Sequence, residues 1–167
     1  MKAFDSPPGW SFNPSEWPWR LPAFALALIG LGIATYLTLF QVGVFTEVWE
    51  PFFGNGSRLL LKQSSIAHLL PIPDAALGAI AYLLDALLDL AGGNARWRTA
   101  PWLVLLFGAL AFLLGITGIL LVILQPTLFG AFCTLCLASA ACSILTAAVA
   151  ATEVIAALQY LIRSPEA

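Results

Sequence analysis

The sequence predicts an all-α integral membrane protein, a four-transmembrane-helix bundle with an outer amphipathic lid helix. Three observations carry that expectation. Apolar residues make up 60% of the 167 and charged residues only 10%, with a mean hydropathy of +0.92, a balance suited to lipid as solvent. The apolar residues gather into four runs, each near the ~20 residues that one crossing needs, and little chain is left for a soluble domain. The breaks between runs hold proline, glycine and most of the charge, which end or interrupt a membrane helix.

Residues 1–20 carry Asp5, Glu16, four prolines and three tryptophans. This is neither a basic n-region nor an apolar signal core, and it reads as a retained tail lying at the membrane surface. Trp10, Trp17 and Trp19 crowd the approach to the first span, where amphipathic rings favour the headgroup layer. Span one is expected over 21–45, uncharged, with Gly30, Gly32 and Ala34 as small contacts for a neighbouring helix and Gln41 near its far end.

Residues 46–73 are too polar and too broken by Pro51, Gly54, Gly56, Pro71 and Pro73 to span. Within them, Ser57-Arg58-Leu59-Leu60-Leu61-Lys62-Gln63 reads as a short amphipathic helix capped near Asn55 or Ser57, lying as a lid across the bundle mouth. His68, the only histidine, is a conceivable base in this loop, although a lone loop histidine is ordinarily solvated.

Span two is expected over 74–91, with Asp74 as helix cap and Gly92-Gly93 as its stop. Asp85 and Asp89 fall on one face. Asp89 is placed to snorkel at the exit, whereas Asp85 lies deeper, where a carboxyl is costly; no basic residue within the spans offers itself as partner. Residues 94–101 form a turn with Arg96 and Arg98, and Trp102 anchors span three, expected over 102–125 with Gly108, Ala111, Gly115 and Gly118 as a small-residue stripe closed by Pro126. Span four is expected over 128–152, followed by an amphipathic, surface-lying extension over 153–167.

Charge and cysteine usage narrow the function. A net charge of −2 and seven scattered basic residues leave no stripe for nucleic acid. Three cysteines, Cys133, Cys136 and Cys142, are an odd set for a disulfide-stapled scaffold. A zinc site would need a second pair of soft ligands, so no metal is expected. No span is broken at mid-membrane and no inverted repeat is visible, which disfavours a transporter.

Orientation follows from the basic residues. Lys2, Arg20, Arg96, Arg98 and Arg163 lie on the side of both termini, against Arg58 and Lys62 on the other. Both termini are therefore expected in the cytoplasm of an inner (plasma) membrane, multi-pass protein. The lid and Cys133-Thr134-Leu135-Cys136 then sit at the outer face, where disulfides persist. Two cysteines three apart at a helix start can close a small disulfide ring, and the helix N-terminus favours the reactive thiolate. The competing reading is two small side chains at a helix contact. Cys142 lies off the face of Cys136 and reads as packing.

Four spans, an outer lid and a CxxC opening the fourth span resemble the vitamin K epoxide reductase family. Gly56-Ser57-Arg58-Leu59-Leu60 with Ser64-Ser65 looks like its lid helix, Pro71-Ile72-Pro73-Asp74-Ala75-Ala76-Leu77-Gly78 like its entry to span two, and Phe132-Cys133-Thr134-Leu135-Cys136 like its redox motif. The resemblance covers roughly Leu21 to Ala150. It implies a quinone-linked thiol–disulfide oxidoreductase in which Cys136 faces the quinone and Cys133 exchanges with a thioredoxin-like periplasmic partner. It further implies a quinone pocket containing Asp74, Leu77 and Phe132, with menaquinone or ubiquinone as substrate. Asp74 stands where the family has an asparagine, and an ionised carboxylate accepts but cannot donate a hydrogen bond.

The departures from the family are specific. The two cysteines usual in its first outer loop are absent from Glu47 to Pro73, with Gly56 in place of the second. A tyrosine found in some members one turn after the CxxC is replaced by Ala140. A second reading therefore accompanies the first: a redox-degenerate member serving as a structural or assembly subunit of a larger respiratory or photosynthetic membrane complex, with its tryptophan-rich tail and C-terminal helix as docking elements.

Overall fold

The computed structural model describes residues 6–63 and 73–163; His68, Ser64-Ser65, Pro71-Ile72 and Lys2 lie outside the described residues. The described chain is helical, with α1 at Trp17–Gln41, α2 at Gly56–Gln63, α3 at Asp74–Leu90, α4 at Arg96–Thr99, α5 at Pro101–Leu128 and α6 at Thr134–Arg163. Helices α1, α5 and α6 are long and apolar enough to cross a membrane. Leucine and isoleucine side chains such as Leu28, Ile29, Leu83, Leu113, Ile116 and Leu145 stay exposed on the outside of the bundle. Such a surface is suited to lipid, and the chain is a multi-pass membrane protein.

The four longer helices form a ring in which α1 lies against α3 and α6, and α5 lies against α6 and α3. Helices α3 and α6 therefore stand diagonally across the bundle and run the same way. Buried small residues line the contacts. Ala23, Ala27, Gly30 and Ala34 mark α1, and Gly108, Ala111, Gly115 and Gly118 mark α5, at the alternating four-and-three spacing of left-handed helix packing. Because lipid tails are as apolar as leucine, close backbone approach rather than the hydrophobic effect is what these positions contribute.

Several boundaries differ from the sequence expectation, among them α1, which begins at Trp17 rather than 21, and α5, which runs through Pro126 to Leu128 rather than closing at 125. Helix α1 stops at Gln41 rather than 45 because Gly43 adopts φ +85°. Its N–H then donates to Phe40 O (3.1 Å) and the Val44 N–H to Leu39 O (2.9 Å), a closure that only a residue free to enter the left-handed region makes cheaply. Helix α6 begins at Thr134, not 128. Ahead of it, the Ala131 N–H donates to Gln125 O (3.4 Å) and the Cys133 N–H to Gln125 Oε1 (3.0 Å), holding 129–133 out of helix. At its other end α6 continues through Glu153 to Arg163, as the sequence leads one to expect, but with Glu153, Ala156 and Ala157 buried rather than surface-lying.

The N-terminal segment does more than lie on a surface. Pro7, Asn13 and Ser15 are buried, Trp10 Nε1 donates to Gln159 Oε1 (2.9 Å), and Asn13 Nδ2 donates to Asn94 O (2.7 Å). The segment thus plugs the end of the bundle opposite the cysteines.

Beneath that plug sits a charge cluster the sequence did not reveal. Arg96, fully buried, donates through Nε to Glu153 Oε1 (2.6 Å), through Nη2 to Glu153 Oε2 (2.5 Å), and through Nη2 to Asp89 Oδ1 (3.1 Å). Its Nη1 caps the last turn of α3, donating to the carbonyls of Leu88, Asp89 and Ala91 at 2.9 Å each. Arg20 lies on the other side of Asp89 (3.5 Å), and Ser15 Oγ donates to Glu153 Oε1 (2.5 Å). Asp89 therefore does not snorkel outward. It is 1% exposed and paired with two arginines, one of them inside α1. Buried charges persist only when compensated in this way.

Candidate functional site

Cys133 is the residue immediately before α6. Its carbonyl accepts the first helical bond from the Leu137 N–H (3.0 Å), and its Sγ accepts the Cys136 N–H (3.1 Å), so the sulfur takes the place of an N-cap oxygen. Cys133 and Cys136 are joined as a disulfide, S–S 2.27 Å. Cys142 is a free, buried cysteine.

The two sulfur-bearing residues have different surroundings. Cys133 is 0% exposed. Cys136 lines a cavity of about 370 Å³ walled by Ala34 and Leu37 of α1, Leu61 of α2, Asp74, Leu77, Gly78 and Tyr82 of α3, Leu110, Leu113, Leu114, Thr117, Gly118 and Leu121 of α5, and Ser139, Ala140 and Ser143 of α6. This volume lies within the usual range for small-molecule sites, which pair a mostly apolar wall with a few polar groups. Here those groups include Asp74 at one end, Tyr82 with the two serines at the other, and Thr117 of α5.

Tyr82 crosses the bundle diagonal. Its hydroxyl donates to Ser139 O (2.7 Å) and shares hydrogen bonds with Ser139 Oγ (3.0 Å) and Ser143 Oγ (2.5 Å). Its ring lies against Gly30 of α1, where a Cβ would overlap it. A phenol thus reaches the wall of α6 beside Ala140 from a different helix. The sequence singled out neither Tyr82 nor its serines.

Of the residues expected in the pocket, Asp74 and Leu77 line the cavity. Asp74 is the first residue of α3 rather than its cap, which is Pro73. Asp74 Oδ1 accepts hydrogen bonds from Gln41 Nε2 and from the Ala75 N–H (2.9 Å), while Gln41 Oε1 accepts the same N–H (3.2 Å). Phe132 is not among the cavity-lining residues. It packs on Phe53 with ring centroids 5.3 Å apart.

A second unforeseen residue closes the site. Glu50 accepts hydrogen bonds from the Thr134 N–H (3.0 Å), the Thr134 hydroxyl and the Ser57 hydroxyl, joining the loop, α2 and the head of α6. Burial by itself raises the Glu50 carboxyl, but the bonds from Ser57, Thr134 and Phe53 outweigh it and hold the group below the ordinary glutamate value. Its charge also occupies the helix N-terminus that would otherwise favour a Cys133 thiolate. Gly56 lies so close to the backbone of Phe132 that a Cβ would overlap the Phe132 carbonyl oxygen. No side chain, cysteine included, fits at that position in this packing.

A membrane bundle, helical over its described residues, whose disulfide adjoins an apolar cavity defines a class, membrane proteins with a cysteine pair at a helix head. Within it, the chain belongs to the vitamin K epoxide reductase family, whose pattern it matches over residues 21–151. That span contains the cavity, the disulfide and the α2 segment, and it stops short of the N-terminal plug. No curated protein and no solved structure matches the chain.

Proposed function

We propose that this chain is a quinone-linked membrane thiol–disulfide oxidoreductase. The observation that carries the reading is that Cys136, one half of the disulfide, forms part of the wall of the 370 Å³ apolar cavity. In this reading α3, at 17 residues, is the fourth span, at the short end of the ~17–25 residues that suffice. Helix α2 is the outer lid, since Leu61 closes one side of the cavity.

The termini face the cytoplasm of the plasma membrane. Arg20 and Arg96 belong to the buried cluster, which leaves Lys2, Arg98 and Arg163 against Arg58 and Lys62, the same sign as the full count.

The chemistry proceeds in two halves. A thiolate of a reduced thioredoxin-like protein attacks Cys133 Sγ, and Cys136 leaves as a thiolate into the cavity. The partner's second thiol then displaces Cys133, so the partner departs oxidised and the protein holds a dithiol. That dithiol gives up two electrons and two protons, a quinone, menaquinone or ubiquinone, takes up two of each in the cavity, and the disulfide re-forms as quinol leaves. Asp74 and Leu77 border the quinone headgroup and Tyr82 offers it a hydroxyl. Phe132 packs against Phe53. Because Cys133 is covered, the first half requires the Glu50 contacts with Ser57 and Thr134 to open.

The test uses purified protein with a reduced dithiol protein and a soluble quinone. Replacing Cys133→Ser or Cys136→Ser should abolish quinone reduction. Undiminished reduction by both variants would reject the reading.

One observation favours a second reading, a redox-silent subunit of a larger membrane complex: the 0% exposure of Cys133 beneath a lid that lacks relay cysteines. Copurification in fixed ratio with a respiratory or photosynthetic complex, with both cysteines dispensable, would support it.

A further inference from the structure

Between the cavity and the Arg96 cluster lies a carboxyl that neither site uses. Asp85 is 0% exposed, and neither of its oxygens has a hydrogen-bond partner among the described residues; Thr146 Oγ1 and Asp89 Oδ2 share that condition. Polar atoms so deeply buried are ordinarily satisfied.

Their positions form a file. Helices α3 and α6 run in the same direction and are level where Tyr82 meets Ser143 (2.5 Å). Three residues further along each helix come Asp85 and Thr146, at one shared depth about 4.5 Å beyond. Four residues beyond Asp85 comes Asp89, joined to Arg96, Arg20 and, through Arg96, Glu153. Asp85 lies within electrostatic reach of Tyr82 on one side and Asp89 on the other.

Resting on the quinone reading above, we propose that Asp85 is a proton-carrying residue that serves the cavity through Tyr82 and Ser143, refilled from the Asp89 end of the bundle.

The step balances as follows. The Cys133/Cys136 dithiol loses two electrons and two protons as it becomes a disulfide, and the quinone needs two of each to become quinol. One quinone proton comes from the Asp85 carboxyl by way of the Tyr82 hydroxyl, which passes on its own proton and is reprotonated. One thiol proton is released at the cysteine end in exchange, and Asp85 regains a proton from the opposite end. Asp85 does not touch the quinone, so it acts as a positioning and transfer residue rather than a catalytic one. The titratable groups that bear on it are Tyr82 and Asp89 on α3, with Cys142 beside Tyr82, and beyond Asp89 lie Arg20, Arg96 and Glu153.

The experiment uses the whole protein in lipid nanodiscs, reduced beforehand and mixed with one equivalent of a short-chain quinone. The expected result is that Asp85→Asn slows quinol formation about 100-fold, a typical proton-transfer contribution, with quinone affinity unchanged, and that Asp85→Glu restores most of the rate. In the wild type, an infrared carboxyl C=O band should change during quinone reduction and be missing from Asp85→Asn. A wild-type rate in Asp85→Asn overturns the proposal. Should that variant fail to fold, an unchanging carboxyl band in the wild type overturns it instead. A wild type that reduces no quinone overturns the parent reading, and the proton path with it.

Discussion

Glu50, in the loop ahead of α2, accepts both the backbone N–H (3.0 Å) and the side-chain hydroxyl of Thr134, the first residue of α6. One carboxylate thereby caps the helix that carries the cysteine pair and, through Ser57, ties α2 to it.

Glu50→Ala removes that cap and should cost about 1 kcal/mol of stability, read as a lowered thermal midpoint. After reduction, Cys133 in this variant should react with a water-soluble maleimide faster than in wild type at the same pH. An unchanged alkylation rate would mean that the lid is held by something else.

The pH dependence of the same contact has a defined sign. A carboxyl held below its ordinary value stabilises the fold while ionised, fully above that ordinary value, and loses the contribution as pH falls through its folded value. For Glu50 the ordinary value is 4.5, so the latch is intact at neutral pH and weakens in more acid solution. Proteolytic nicking of the loop before α2, measured from neutral pH down to about pH 3, should rise in the wild type below the ordinary value of 4.5 and stay flat in Glu50→Gln.

Much of this arrangement was legible from residues alone, and the rest failed for identifiable physical reasons. Apolar runs and the CxxC announced the helices and the cysteine pair because both signals are local. The short helix over Ser57 to Gln63 was visible for the same reason. The Glu50–Thr134 contact spans 84 residues, and the Arg96–Glu153 pair spans 57, so no local pattern could join them. Arg96 was counted as a loop cation because a turn after Gly92-Gly93 is ordinarily solvated. It is buried because the N-terminal segment, with Asn13 on Asn94 O, folds over it. Tyr82 was read as one apolar residue of a span, since only the diagonal placement of α3 and α6 brings its hydroxyl to Ser139 and Ser143.

Removing Arg96 should be far more damaging than removing Glu50. Arg96→Met leaves Glu153 without an arginine and Asp89 with Arg20 alone, and losing one partner of a buried ion pair costs about 3–5 kcal/mol. Pairing it with Glu153→Met should recover part of the loss. Folded yield in detergent and thermal midpoint of the single and double variants check this; a double variant worse than the single would contradict it.

At the other end of the cavity, Asp74→Asn keeps an oxygen able to accept from Gln41 and the Ala75 N–H while adding an N–H donor. With a donor available to a quinone carbonyl, the KM for quinone should fall several-fold, about 1 kcal/mol for one gained hydrogen bond, with kcat little changed. A raised KM would show that the carboxylate form is the one the site uses.

The central claim is that electrons pass between the Cys133–Cys136 pair and a quinone held against Cys136. The most direct measurement is an anaerobic titration of the reduced protein with quinone, counting alkylatable thiols and quinol together. The expected result is loss of both thiols for each quinol formed, and no such exchange in Cys136→Ser. Thiols that remain fully alkylatable in the presence of excess quinone would contradict the account.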